Sequence, residues 1–178
     1  MDLSKLSNGQ KIFAGAGLVY FIASFLAWYS YSISGIVDIS ANAWDIGLLW
    51  GSLWALLFLV GAILIALPAF GVAGPKLPAI AFLAVSGLAT LFTLIKLLKG
   101  EADPITASFG IYLAVIAAAG ATYGAFLMFK DSGGSLDDLK DMNKIKGSFQ
   151  GAGSSAPPPP PPPPPPGMTP PPPPPPPA

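Results

Sequence analysis

Four acidic residues stand where chemistry could be done: Asp38, Asp45, Glu101 and Asp103. Glu101 and Asp103 lie two apart, and a carboxyl pair can divide into a general acid and a general base. That division needs surroundings that withdraw one carboxyl from water, and the flanking "KGEADP" offers none. Asp45 precedes Ile46, Gly47 and Leu48 and is expected to cap a helix, its carboxylate bonded to early helical N–H groups. Asp103-Pro104 is likewise expected to open a helix. Hydroxyls are the other candidates. Ser86, Thr90 and Thr93 recur at helical spacing in an apolar run, with Ser24, Ser52, Thr122, Tyr20 and Tyr112 in similar runs. Aligned, they would form a polar track for a small solute. The simpler and favoured reading has each hydroxyl bonding the carbonyl one turn back, or another helix. Cys and His are absent, and all nine basic residues are Lys. Thiolate and imidazole chemistry, the usual zinc and haem ligands, and disulfides are therefore excluded. No Gly-rich phosphate loop follows a strand, and no nucleophile–base pair is recognisable. The expectation is a protein that is not an enzyme, with no cofactor, no catalytic residue and no metal site.

The elements that would carry these residues are apolar. Of 178 residues, 52% are hydrophobic and only 10% charged, where a soluble domain carries about 25% charge. Net charge is zero, which leaves no footprint for a nucleic acid. Four runs lack any charge: 12–31, 46–70, 77–95 and 106–129. About 20 helical residues cover the roughly 30 Å hydrocarbon core of a bilayer, so each run qualifies as a span. The first exceeds the 7–15 apolar residues of a signal peptide, and no small-x-small site follows it; it is expected to remain uncleaved. "GVAGPK" and "KGEADP" supply short turns before the third and fourth runs. The predicted fold is an all-α membrane protein, four transmembrane helices in an antiparallel bundle. Its parts are an N-terminus (1–11), a four-span membrane domain (12–130), a juxtamembrane amphipathic segment (131–147), and a disordered linker and polyproline tail (148–178).

Lysines orient the bundle. With the N-terminus inside, the inner set is Lys5, Lys11, Lys76, Lys130, Lys140, Lys144 and Lys146, against Lys96 and Lys99 outside. Cytoplasmic loops are the basic ones, so both termini are expected in the cytoplasm. Trp28, Trp44 and Trp50 then fall at the outer membrane interface, where indoles are favoured; Trp54 better suits packing within the bundle. Between the first two runs, "YSYSISGIVDIS" alternates apolar and polar residues on both sides of Gly35. That pattern suggests a short outer β-hairpin, with a plain loop as the alternative. Gly47 and Gly51, and Gly120 and Gly124, form two GxxxG pairs that let helix backbones approach closely. Packing within one chain is favoured over homo-oligomer contacts.

Beyond the fourth run, Leu136, Leu139, Met142 and Ile145 make a narrow apolar stripe. Acids come early and lysines late, as a helix dipole prefers. The stripe could lie on membrane lipid, cap the bundle or meet a partner. "GSFQGAGSSA" is a flexible linker. Ten prolines, Pro157 to Pro166, and eight more, Pro170 to Pro177, flank Gly167-Met168-Thr169. Lacking N–H donors, they form polyproline II rods of about 31 and 25 Å. Such rods suit aromatic-lined grooves because little ordering entropy remains to be lost; the plainer reading is a spacer. The tail has no basic residue or Tyr to flank a Src-homology-3 or WW partner. Its proline–glycine pattern looks like the profilin-binding tracts of eukaryotic actin regulators, a reading that the membrane domain does not support.

From Leu6 to Lys130, "LSNGQKIFAGAGLVYFIASFLAWYS" and "ANAWDIGLLWG" resemble a group of uncharacterised actinobacterial-type four-helix integral membrane proteins. These pair a "TGQKI"-like opening with a "FLPWYS"-like end to the first span and a "NAWD" start to the second. Ala27 stands here in place of the proline before Trp-Tyr-Ser. The resemblance implies a bacterial plasma membrane protein and carries over no activity and no catalytic residues. The leading expectation is a membrane interaction or scaffold protein whose proline-rich tail meets a cytoplasmic polyproline-binding protein. The alternatives are a small oligomeric transporter or channel, and an accessory subunit of a larger membrane complex.

Overall fold

The computed structural model describes residues 2–33, 37–75, 77–100, 104–135, 141 and 146–147. Outside the described residues lie the hairpin tip with Gly35, Lys76, Glu101 and Asp103, the apolar stripe of Leu136, Leu139, Met142 and Ile145, and the whole proline tail, Pro157, Pro166, Pro170 and Pro177 included.

The chain is mostly helical: α1 (Asn8–Ala23), α2 (Leu53–Ala66), α3 (Ala79–Lys99) and α4 (Phe109–Asp131). A π-helical turn, Leu48–Ser52, leads into α2 and a 3-10 turn, Leu67–Phe70, leads out, so the helical rod runs Leu48–Phe70. Three helices are long and apolar enough to cross a membrane: Leu48–Phe70, Ala79–Lys99 and Phe109–Asp131. Three short strands, β1 (Tyr29–Ile33), β2 (Val37–Ala41) and β3 (Thr106–Ala107), form an antiparallel sheet in the order β2-β1-β3. The register pairs Tyr31 with Ile39 and Ser32 with Asp38, so the hairpin is formed. The third strand, from the α3–α4 connection, braces it.

The first apolar run departs from the single 20-residue helix expected over 12–31. Helix α1 begins earlier, on a reciprocal cap in which Ser7 Oγ accepts from the Gln10 N–H and Gln10 Oε1 accepts from the Ser7 N–H. It stops at Ala23. There the Ser24 hydroxyl donates to the Phe21 carbonyl at 2.6 Å, and the Ser24 carbonyl accepts from the Ala43 N–H at 3.1 Å. A hydroxyl that bonds the preceding turn competes with helix continuation. Trp28 and Tyr29, read as the end of a span, instead bring the chain into the sheet: the Trp28 N–H donates to the Ala41 carbonyl at 2.8 Å. Both are buried, so their apolar character serves the core without a helix.

The helices pack in the order α2–α1–α4–α3, and the α2–α3 side closes least. Between α1 and α4 the approach is backbone to backbone. A Cβ on Gly124 would stand 2.6 Å from the Phe13 nitrogen, and one on Gly110 would stand 2.6 Å from the Ala27 oxygen. No side chain fits either place. Ala114, Ala117, Ala118, Ala121 and Ala125 are buried with them. The α1–α2 side uses rings: Tyr20 and Phe58 have centroids 4.8 Å apart, Phe13 and Phe58 5.9 Å. Phe13 also meets Phe82 of α3 edge-on at 5.3 Å. At the end far from the sheet, the Asp2 N–H donates to the Ala69 carbonyl at 2.9 Å and ties the N-terminus beneath the end of the α2 rod.

Candidate functional site

The hydroxyls within the helices hold helices. On α3, Ser86 donates to the Phe82 carbonyl at 2.7 Å and Thr93 to the Ala89 carbonyl at 2.7 Å. A hydroxyl has one proton, so Tyr20 is the donor in its buried 2.9 Å bond to Thr93, which joins α1 to α3. Thr90 and Thr122 lie 2.9 Å apart and join α3 to α4, each also within reach of its own upstream carbonyl, Ser86 and Ala118. These are the carbonyl and interhelical bonds of the simpler reading; Tyr112, by contrast, is exposed on the outer face of α4.

The sheet end of the bundle gathers all four tryptophans, in different settings. Trp28 was expected at the lipid interface. It is instead fully buried, its indole N–H donating to the Ala23 carbonyl at 2.9 Å and its ring edge-on to Tyr20 at 6.2 Å. Past the end of α1 that carbonyl also accepts from the Leu26 N–H at 3.2 Å, and the Trp28 indole is its second donor. Trp54 is buried and donates to the Leu49 carbonyl at 2.7 Å. Trp44 is exposed, stacks on Phe25 at 5.4 Å and donates to Ser24 Oγ at 3.1 Å. Trp50, half-buried, sits beside Phe92. Above it the Lys96 ammonium stands 5.8 Å from the Trp50 ring and 5.6 Å from the Tyr29 ring, within cation–π range. The Tyr29 hydroxyl donates to the Lys96 carbonyl at 2.8 Å. This Tyr29–Lys96–Trp50 cluster was not anticipated, because its members come from three elements and share no spacing.

The described acids, Asp38 and Asp45, hold separate turns; Glu101 and Asp103 lie outside the described residues. Asp38 accepts from Ser32 Oγ across the hairpin. Asp45 does not cap the following helix: its carboxylate accepts from the Asn42 N–H at 2.9 Å, closing a turn in which Asn42 Oδ1 accepts from the Trp44 N–H at 2.8 Å. After Pro104 the chain enters β3, and α4 begins at Phe109 with Ser108 at its N-cap. Among the described residues no three acidic groups come together.

The GxxxG pairs also part company. Gly120 faces Ala16 and Gly124 faces Phe13 and Gly9, both on α1. Gly51 packs against the Ala43 backbone. Gly47 packs against nothing; it has φ +102°, a backbone that side chains rarely adopt, and it turns the chain into the Leu48–Ser52 segment. Spacing alone does not separate a glycine that packs from one that turns.

No protein-family model, curated protein or solved structure matches the chain. A functional reading therefore stands on this geometry and on the sequence.

Proposed function

We propose that the protein is a non-enzymatic integral membrane scaffold, with four spans and both termini in the cytoplasm of a bacterial cell, that offers its proline-rich tail to a polyproline-binding partner. The fourth span is α1 with its hook. Gly9 lies beside Gly124 and Met128, and Ala27 beside Gly110, so residues 9–27 run antiparallel along residues 110–128 of α4. The rise along α4 from 110 to 128 is about 27 Å, close to the roughly 30 Å core. A segment that matches α4 in depth at both ends crosses whatever α4 crosses. With that topology the chain order assigns seven lysines to the N-terminal side against Lys96 and Lys99 on the sheet side, which favours an outer sheet and a cytoplasmic tail.

The observation that carries the scaffold reading is the use made of the polar groups. Tyr20, Ser86, Thr90, Thr93 and Thr122 bond carbonyls or tie helices together, and the charged side chains of the described helices stand near their ends. Transport through a bundle normally calls on ionisable or continuous polar groups in its interior. The proline-rich segment after the bundle is the part of the sequence suited to an aromatic-lined groove. An accessory role in a larger complex is a second reading, favoured by the edge of β2 that no described strand pairs, beside the exposed Ile39.

Crosslinking and mass spectrometry on native membranes would test this, comparing the full chain with one stopped after Ser155. The scaffold reading expects specific cytoplasmic partners to vanish with the tail. Partners that persist would put recognition in the bundle and favour the complex subunit; protein-dependent solute flux in liposomes would favour transport.

A further inference from the structure

The α2–α3 side of the bundle closes at one end only. Towards the sheet, Trp54 and Trp50 meet Phe92, with centroids 5.2 and 5.5 Å apart. Towards the other end the helices part around a crevice of about 120 Å³, lined by Phe13, Gly61, Leu64, Ala81 and Val85 among other apolar side chains. An apolar cavity of that order (about 150 Å³) stays dry and accepts hydrocarbon. Leu77 continues the crevice into a second, mixed cavity of about 430 Å³ at the cytoplasmic end, where Ser7, Gln10, Asp131 and Ser132 stand around Met128.

The polar rim offers several acceptors beside the Gln10 amide N–H and Ser7 O–H donors. Asp131 brings a carboxylate. The Ser132 hydroxyl donates to the Phe129 carbonyl at 2.6 Å, which leaves its oxygen to accept. Gln10 Oε1, which takes the Ser7 N–H, has a second lone pair. This rim complements a compact cation with several N–H donors, and the crevice beside it complements hydrocarbon. Resting on the four-span reading above, we propose that this joint site holds one phospholipid with a primary ammonium headgroup, of the phosphatidylethanolamine kind. One acyl chain lies between α2 and α3, and the ammonium sits on Asp131, Ser132 and Gln10. A choline headgroup carries the same charge without N–H donors and cannot satisfy that rim.

The test uses the full chain in phosphatidylcholine vesicles. The vesicles contain a trace of lipid with a photoreactive acyl chain and either an ethanolamine or a choline headgroup. Flotation with the vesicles is read first: a chain that stays unbound refutes the membrane reading, and the lipid site with it. For a chain that floats, adducts of the ethanolamine probe are expected to concentrate at Leu64 and Val85 over the exposed Ile63 and Leu88. Ala81→Phe fills the crevice and should remove that concentration while Ile63 and Leu88 stay labelled. Asp131→Asn should erase the headgroup preference and leave the adduct positions unchanged. Labelling no denser in the crevice than at Ile63 and Leu88, or equal labelling by the choline probe, would overturn the proposal. So would adducts showing another protein, or this chain's own residues after Ser135, in the crevice.

Discussion

The two sides of the α1–α4 pair and the α2–α3 pair follow opposite rules. Between α4 and the stretch formed by α1 and residues 24–28 after it, glycine and alanine bring backbones together, and even one added carbon at Gly124 or Gly110 has no room. Between α2 and α3, large rings close one end and a crevice of about 120 Å³ remains at the other. In lipid, burying apolar surface against another helix yields little, because the tails are as apolar as the side chains. Association follows from fit and from hydrogen bonds. The tight seam is therefore where the fold is held, and the loose seam is where it can accept something else.

Substitutions can break that contrast. The largest effect is expected from Gly124→Leu, whose side chain must displace the Phe13 backbone. Overpacking of this kind costs about 1–3 kcal/mol, read as a lower midpoint in detergent-titrated unfolding. Tyr20→Phe should cost less, about 0.5–1.5 kcal/mol, since Thr93 keeps its bond to the Ala89 carbonyl and no buried group is orphaned. Ala81→Leu, on the crevice wall, should change the same midpoint by under about 0.5 kcal/mol. An equal loss at Gly124 and Ala81 would dissolve the distinction between the seams. The smallest effect belongs to neither. Ser4 donates its hydroxyl and its N–H to the Asp2 carboxylate, at 2.6 and 3.0 Å, and these bonds hold that carboxyl below its ordinary value. A carboxyl lowered in the folded state stabilises above its unfolded pKa and loses that contribution as pH falls through the folded one. A small stability gap between the native chain and Asp2→Ala should therefore narrow on acidification.

The contrast between seams was only half legible in the sequence. Charge-free runs located the three long helices to within a few residues, because length and apolarity alone define that signal. Alternation in "YSYSISGIVDIS" located the hairpin, because a period of two is a local property. The end of α1 was hidden, since a buried strand start and a lipid-facing helix have the same apolar composition; only the contact between Ala27 and Gly110 separates them. Gly120 and Gly124 carry one spacing and one role, whereas Gly47 carries the spacing and turns the chain. Asp45 stands before an apolar run as a cap would, yet Asn42, three residues earlier, offers it a nearer N–H. The crevice and the Tyr29–Lys96–Trp50 cluster arise from pairs far apart in the chain, for which no spacing rule exists.

The central claim is that α1 crosses the membrane beside α4, which puts Ser4 and the sheet on opposite sides. The natural absence of cysteine makes this directly measurable with single substitutions and a membrane-impermeant maleimide on intact cells. Ser40→Cys, on exposed β2, is predicted to label at once, while Ser4→Cys and Ser155→Cys label only after permeabilisation. Labelling of Ser4→Cys together with Ser40→Cys from the outside would leave three crossings, and would contradict the account.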